Sequence, residues 1–593
     1  MANYRYIGKS TPRKDAVDIV SGTAKYLNDM KLPGMLVGKE MRSPHPHAII
    51  QNIDTSKAKK LPGVGAVLTY NDIPAWKAGT PRHKLILDRK VRFVGDTVAL
   101  VAAETEEIAM EAIDLIDIEY EQLPHVYTLE EAIRPDAPQL YEEFPSNVIP
   151  SGGYSFYGPN CLANVVRGDM EQGFKEADFV TEGTYGFENL PNPMALEAPG
   201  ALAVWESPVD LTIWSPGQSA YIAHLVLSMI MGRTVRVRSM GIQTGGSFGA
   251  KTVTWLPMMR CALLAKAANA PVKLFYSKEE QLATCAMRLS SRINARVGMK
   301  KDGTVTAISG EWLIDTGAFS DMTQAQVAVG CGEVQLLLRC SNWNFIPKVV
   351  CTTRNPSGTV RGFGGQELKC ALIPILTIAM EAANVDPFEF LKKNYVKPGD
   401  GYYWSHGDWW TCRGVDYTQA MEKGAGVFGW KEKWKGWLKP TSVNGAKRTG
   451  VGVGAHGNAD VGEDVSEAYV RIDSDVRATI YSCISEHGTG QKTNLCKMVA
   501  EVLNLPLDRV NMMPADSSVS PYEFGFVGSR GTYTTGSAVI KAAEDVRQKL
   551  FELAAPNLKA NPDDLETEDG MIYVKSKPDV KIPWTFELIV TVK

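Results

Sequence analysis

Four short strings of closely spaced glycines, set far apart along the chain, constrain this sequence more than any other feature. They are Gly245-Gly246-Ser247-Phe248-Gly249-Ala250-Lys251, Arg361-Gly362-Phe363-Gly364-Gly365-Gln366, Glu486-His487-Gly488-Thr489-Gly490-Gln491 and Gly528-Ser529-Arg530-Gly531-Thr532. Each precedes a stretch able to start a helix. Glycines let backbone N–H groups approach an anion, and a helix N-terminus adds unsatisfied N–H groups and the positive end of a dipole. A single string of this kind is more often an ordinary turn. Four of them, with these flanks, point to the binding of a large anionic cofactor.

Bulk properties narrow the setting. A chain of 593 residues predicts several domains, and 44% apolar with 22% charged residues is the balance of a soluble globular protein. A net charge of −4 gives no basic field for nucleic acid. No apolar run approaches the roughly 18 residues needed for a membrane span. The opening Met1-Ala2-Asn3-Tyr4-Arg5-Tyr6 lacks a secretion-signal core. A cytoplasmic location is therefore expected. The ten cysteines form no CxxC pair, so neither an iron–sulfur cluster nor a zinc ribbon is expected in this chain. His45 and His47 read as part of a proline-bounded turn rather than as metal ligands.

The periodicity predicts organisation as follows. Residues 1–133 mix strands and helices: an apolar strand at 98–103, a helix over 104–115 and an alternating strand at 116–120. Residues 134–158, rich in Pro, Ser, Gly and Asn, read as a linker. Residues 159–395 form a second region, with strands at 209–214 and 235–238, a helix over 220–231 ended by Gly232, and a hairpin turning at Lys301-Asp302-Gly303. A helix over 367–383 is expected to kink or shorten at Pro374. Residues 396–448 form an aromatic-rich connector. Residues 449–593 form a last region, with paired strands at 468–472 and 478–481 and helices over 493–503 and 535–553. The aromatic run Tyr402–Trp410 is expected to pack its own loop rather than stack on a ligand.

The order of the four strings, with GGxFGxK and RGFGG as the most specific, resembles the large molybdopterin-binding subunit of the xanthine oxidase family of molybdenum hydroxylases. Val91-Arg92-Phe93-Val94-Gly95-Asp96 and Leu61-Pro62-Gly63-Val64 extend the resemblance towards the N-terminus. It implies an α+β fold: an N-terminal α/β hammerhead domain (1–133) followed by mixed α+β molybdopterin-binding domains (159–395 and 449–593). It implies a molybdenum–pyranopterin cofactor, as the cytosine dinucleotide, whose dithiolene rather than a protein side chain holds the metal. It further implies water-derived hydroxylation of an aromatic heterocycle or aldehyde, an iron–sulfur partner subunit and an FAD subunit.

Carried onto this sequence, the resemblance places Gln218, Gly246, Ser247, Phe248, Gly249, Arg361, Gly488, Thr489, Gly490, Ser529, Gly531 and Thr532 at the cofactor. It places Arg361, Phe248 and Phe363 at the reacting centre. Thr252 and the Cys331–Val334 segment depart from the purine-oxidising pattern, and Thr489 stands where a pterin-binding glutamine is usual. The family's general-base glutamate sits in a GExP-type string. Gly462-Glu463 does not match it, so the last domain is expected to be incomplete, with a second molybdopterin-domain subunit supplying the base and activity requiring partner subunits. A hydroxybenzoyl-coenzyme A reductase-type enzyme and a non-catalytic cofactor-binding subunit are the alternatives.

Overall fold

A seven-stranded sheet joins the N-terminal region to the region that follows it. In the computed structural model, which describes residues 4–78, 83–150, 164–188, 192–252, 255–285, 287–403, 409–413, 416–457 and 465–584, its strand order is Arg236–Gly241, Asp210–Ser215, Gly200–Ser207, Val272–Phe275, Leu36–Arg42, Thr97–Ala103 and Val64–Thr69. Leu36–Arg42 pairs in parallel with Val272–Phe275, so strands on either side of the expected 134–158 linker share one ladder. The strand Thr97–Ala103, one in from the sheet edge, is buried along its whole length. Its run Val98–Ala103 reads as a short apolar strand for that reason, since a strand covered on both faces has no polar side to alternate with.

The linker expectation gives way in its described part. Leu140, Tyr141, Phe144 and Ile149 are buried in the main core. Val148–Ile149 pairs antiparallel with Trp343–Cys351. Proline and serine there shape turns that dock aromatic side chains, and composition does not distinguish this from a free linker. Residues 151–163 lie outside the described residues.

A second sheet runs in the order Val165–Arg167, Trp343–Cys351, Val305–Gly317, Ser290–Met299 and Phe179–Phe187. The long antiparallel pair Ser290–Met299 and Val305–Gly317 turns at the predicted Lys301-Asp302-Gly303, with Gly303 at φ +82°. The helix Gly365–Ala382 packs on this sheet and continues through Pro374. The expected shortening does not occur; a proline inside a helix removes one backbone hydrogen bond, and the helix is also packed against the sheet. The helix Ala220–Met231 has its predicted bounds: Ser219 Oγ accepts from Ile222 N, and Gly232 ends it. The last region pairs Tyr469–Ile472 with Ala478–Tyr481 under the helices Gln491–Leu503 and Gly536–Leu558, which share a buried core.

Among the described residues no single helix is long and apolar enough to cross a membrane. Gly365–Ala382 and Pro387–Asn394 pass on composition only together, and they are bent by 113°. His47 is 2% exposed, with Nδ1 on the Pro124 carbonyl. Burial pushes its pKa down to about 4, so it is a neutral core imidazole. In the connector, Tyr402 is buried and Trp409 is 55% exposed. The central part of the aromatic run, 404–408, lies outside the described residues.

Candidate active site

The four glycine strings, separated by up to almost 290 residues in sequence, line one cavity of about 960 Å³. Backbone hydrogen bonds join them directly. Arg361 N donates to Phe248 O at 2.8 Å, linking the second string to the first, and Thr244 N donates to Glu486 O at 3.1 Å, linking the first to the third. Gln491 Nε2 donates to Thr532 Oγ1 at 2.9 Å, linking the third to the fourth.

Gln218 is the hub of the first and fourth strings. Its Oε1 accepts from Ser247 Oγ at 2.5 Å and from Gly249 N at 2.9 Å. Its Nε2 donates to Phe526 O, and Phe526 N returns a bond to Gln218 O at 2.9 Å. An amide nitrogen carries two hydrogens, so the contact to Phe526 uses only one of them.

Each string is held by a buried glutamate paired with a cation. Glu197, 8% exposed, accepts from Gly245 N at 2.8 Å and pairs with Lys251 at 3.2 Å. Burial lowers the Lys251 pKa to about 8. Glu367, fully buried, accepts from Gly364 N at 3.1 Å and pairs with Arg288 at 2.8 Å. Arg288 also donates to Arg361 O at 2.6 Å. Glu486, 8% exposed, accepts from Gly488 N and Gly490 N, both at 2.9 Å, and from Lys492 N at 3.1 Å, with Arg13 at 3.6 Å. Glu523, fully buried, accepts from Gly525 N at 3.1 Å and Thr535 Oγ1 at 3.0 Å and pairs with Arg530.

Fixed loops of this kind are preorganised, so little order remains to be imposed when a ligand enters. The same geometry changes the reading of the third string. Its Gly488 and Gly490 N–H groups already satisfy Glu486 and are not open donors for a phosphate.

Three of these turns hold a strained residue. Phe248, Phe363 and Ser529 are non-glycine residues at φ +57°, +42° and +58°, conformations that persist only where the surroundings enforce them. Gly249, at φ +101°, is required: a Cβ there would stand 2.9 Å from Thr359 O.

Of the residues singled out in the sequence, Gln218, Gly246, Phe248, Gly249, Arg361, Phe363, Gly488, Thr489 and Ser529 line the cavity. Ser247 is buried behind Gln218. Gly490 caps the helix Gln491–Leu503. Gly531 lies under the Phe526 ring, which a Cβ would meet at 2.7 Å, and Thr532 faces Gln491. Gly462-Glu463 lies outside the described residues. The sequence reading missed Glu333, His456 and His487 as cavity residues, together with the apolar wall of Leu196, Ile222, Met322, Val329, Phe524 and Val527. Glu333 is tied to Lys369 at 2.8 Å, both 2% exposed. Burial keeps His456 and His487 below the ordinary imidazole pKa. Arg361 is the lining cation; among the described residues its guanidinium has no ion pair or hydrogen bond.

The cavity fits a large polar cofactor. Its volume is at the upper end of ligand pockets. Arg361 brings to the lining a guanidinium with no partner among the described residues, a charge-assisted donor for an anionic group. No group of three His, Cys, Asp or Glu side chains among the described residues could hold a metal ion directly.

Comparison with known proteins agrees with this geometry. Residues 21–124 match the aldehyde oxidase and xanthine dehydrogenase a/b hammerhead domain, and residues 155–395 and 425–591 match molybdopterin cofactor-binding domains. The chain is 31% identical over 395 residues to the nicotinate dehydrogenase large molybdopterin subunit of Eubacterium barkeri, covering 65% of this chain and 88% of that one. It is 28% identical over 611 residues to the nicotine 6-hydroxylase large subunit of Paenarthrobacter nicotinovorans, covering 96% and 71%. The fold matches quinoline 2-oxidoreductase from Pseudomonas putida 86 with a TM-score of 0.82 at 23% identity, over 99% of this chain and 76% of that one.

Proposed function

Because the chain belongs to the family of molybdopterin-binding large subunits of aldehyde oxidase and xanthine dehydrogenase type, we propose that it is the catalytic subunit of a molybdenum hydroxylase acting on an aromatic heterocycle or aldehyde. The observation that carries this reading is the meeting of all four glycine strings around one cavity. When bound, the molybdenum–pterin group supplies the oxidising centre: substrate R–H and water give R–OH, two protons and two electrons.

The protein's own residues do the rest. Gln218 and the Gly246–Gly249 turn would hold the metal end through hydrogen bonds and close backbone approach. Thr489 and Ser529, which line the cavity, would hold the pterin and its dinucleotide extension, which we assign as the cytosine form. Phe248 and Phe363, with Val329, would give a substrate an apolar wall beside the metal end. Arg361 faces the cavity with its planar fork unpaired and would polarise a substrate oxygen or nitrogen. Glu333, held by Lys369, is poorly placed to accept a proton. We therefore assign the general base to a glutamate outside the described residues, in this polypeptide or a partner. Electrons leave through an iron–sulfur subunit to an FAD subunit, in the cytoplasm.

The test is turnover by the native complex on a panel of N-heteroarenes and aldehydes in ¹⁸O-water with an artificial electron acceptor. One labelled oxygen per product is expected. Product without label, or reduction of the panel instead of oxidation, would contradict the proposal.

A further inference from the structure

The N-terminal segment does not stay with the N-terminal region. The N–H groups of Arg5, Tyr6 and Ile7 converge on the Glu501 carboxylate at 2.8, 2.7 and 3.2 Å; burial is the largest single influence and raises its pKa, but these bonds, with Lys9, together outweigh it and hold Glu501 below its ordinary value. Arg5 Nη1 donates to Asn504 Oδ1 at 2.9 Å and pairs with Asp569 at 2.8 Å. Lys497 Nζ donates to Lys9 O at 2.7 Å, and Lys14 N to Thr493 Oγ1 at 2.9 Å. The contacts step back along the helix Gln491–Leu503 from its C-terminal end to its N-terminal end, and there they reach the third glycine string.

Arg13 makes that last contact. Its Nη1 donates to Gly488 O at 3.1 Å, and its Nη2 lies 3.6 Å from Glu486. Asp15 grips the same guanidinium through both oxygens, at 2.9 and 2.7 Å, and in turn accepts from Gln243 Nε2, beside the first string. Further along, Leu27 N donates to Glu197 Oε1 at 3.2 Å, on the glutamate that holds the first string. Residues 5–27 thus form a strap across two of the four turns that bound the cavity.

We propose that Arg13 is a positioning residue for the third glycine string, and that this contact, more than the rest of the strap, sets how firmly the cofactor is retained. This rests on the cofactor assignment above. Glu486 satisfies three backbone N–H groups of the string, and a carboxylate so placed needs a nearby cation. Arg13 supplies it and at the same time fixes the Gly488 carbonyl, so the turn keeps one conformation whether or not the cavity is filled. A lysine could reach Gly488 or Asp15 but could not reproduce the fork that holds both.

The test measures molybdenum and pterin per chain, before and after prolonged dialysis, for wild type, Arg13→Ala, Arg13→Lys and Arg5→Ala in the full chain, with thermal midpoints alongside. Arg5 anchors the strap at the far end of the helix, away from the cavity. Arg13→Ala is expected to lose cofactor at least about fivefold faster than wild type, with Arg13→Lys in between and Arg5→Ala near wild type. Wild-type retention in Arg13→Ala would overturn the proposal. So would equal loss in Arg5→Ala and Arg13→Ala in proportion to their thermal midpoints, since that would make Arg13 merely structural. A wild-type protein free of molybdenum and pterin would instead remove the cofactor assignment on which the proposal stands.

Discussion

Replacing Arg361 by lysine is expected to lower turnover by about 100–1,000-fold, the usual cost of losing one preorganised electrostatic contact at a reacting centre, while cofactor content stays at the wild-type level. The expectation follows from two features. The side chain lines the cavity without a partner among the described residues, so its charge is available to whatever enters. Its backbone is fixed independently, by Arg361 N on Phe248 O and Arg288 on Arg361 O. Lysine keeps the charge but loses the planar fork, and nothing in the loop depends on the guanidinium. Full kcat in Arg361→Lys with unchanged KM would assign the residue to the surface rather than to the reaction.

The largest effect on stability is expected at Glu523. Both Glu523 and Arg530 are at most 1% exposed, and the carboxylate also ties Gly525 N and Thr535 Oγ1. Removing one member of a buried pair leaves an uncompensated charge and typically costs about 3–5 kcal/mol. Glu523→Ala should therefore unfold the last region at markedly lower denaturant and expose the 528–532 turn to protease. The double variant Glu523→Met, Arg530→Met should recover part of the loss, because it leaves no orphan charge. If Glu523→Ala kept the wild-type midpoint, the glutamate would not be what holds this turn.

The sequence made legible those features that are local. The glycine strings, the Ser219 cap with its Gly232 stop, the hairpin at Lys301-Asp302-Gly303 and the apolar strand near 98–103 each carry their signal within a few residues. The holding glutamates were half visible. Glu486 stands two residues before Gly488, and Glu367 and Glu523 lie within five residues of their strings. A carboxylate beside a glycine turn is a cue for backbone N–H capture, and it competes with the open anion cradle that such a string otherwise suggests.

The features that closed up only in three dimensions were not legible. Arg13 reaches Gly488 across 475 residues, Arg288 reaches Glu367 across 79, and Leu36–Arg42 joins Val272–Phe275 in one ladder. No periodicity records such pairings. The 134–150 segment misled for a related reason: its prolines and serines have linker composition, and its burial comes from where Tyr141 and Phe144 dock.

The central claim is that four strings form one molybdenum–pterin site, and its most direct measurement is the metal and pterin content of the protein isolated from molybdate-replete cells. The account predicts one molybdenum and one pterin dinucleotide per chain, both lost on substitution of Gly249 by valine, which would drive a side chain into Thr359. A well-folded wild-type protein with neither molybdenum nor pterin, or one whose content is unaffected by Gly249→Val, would contradict it.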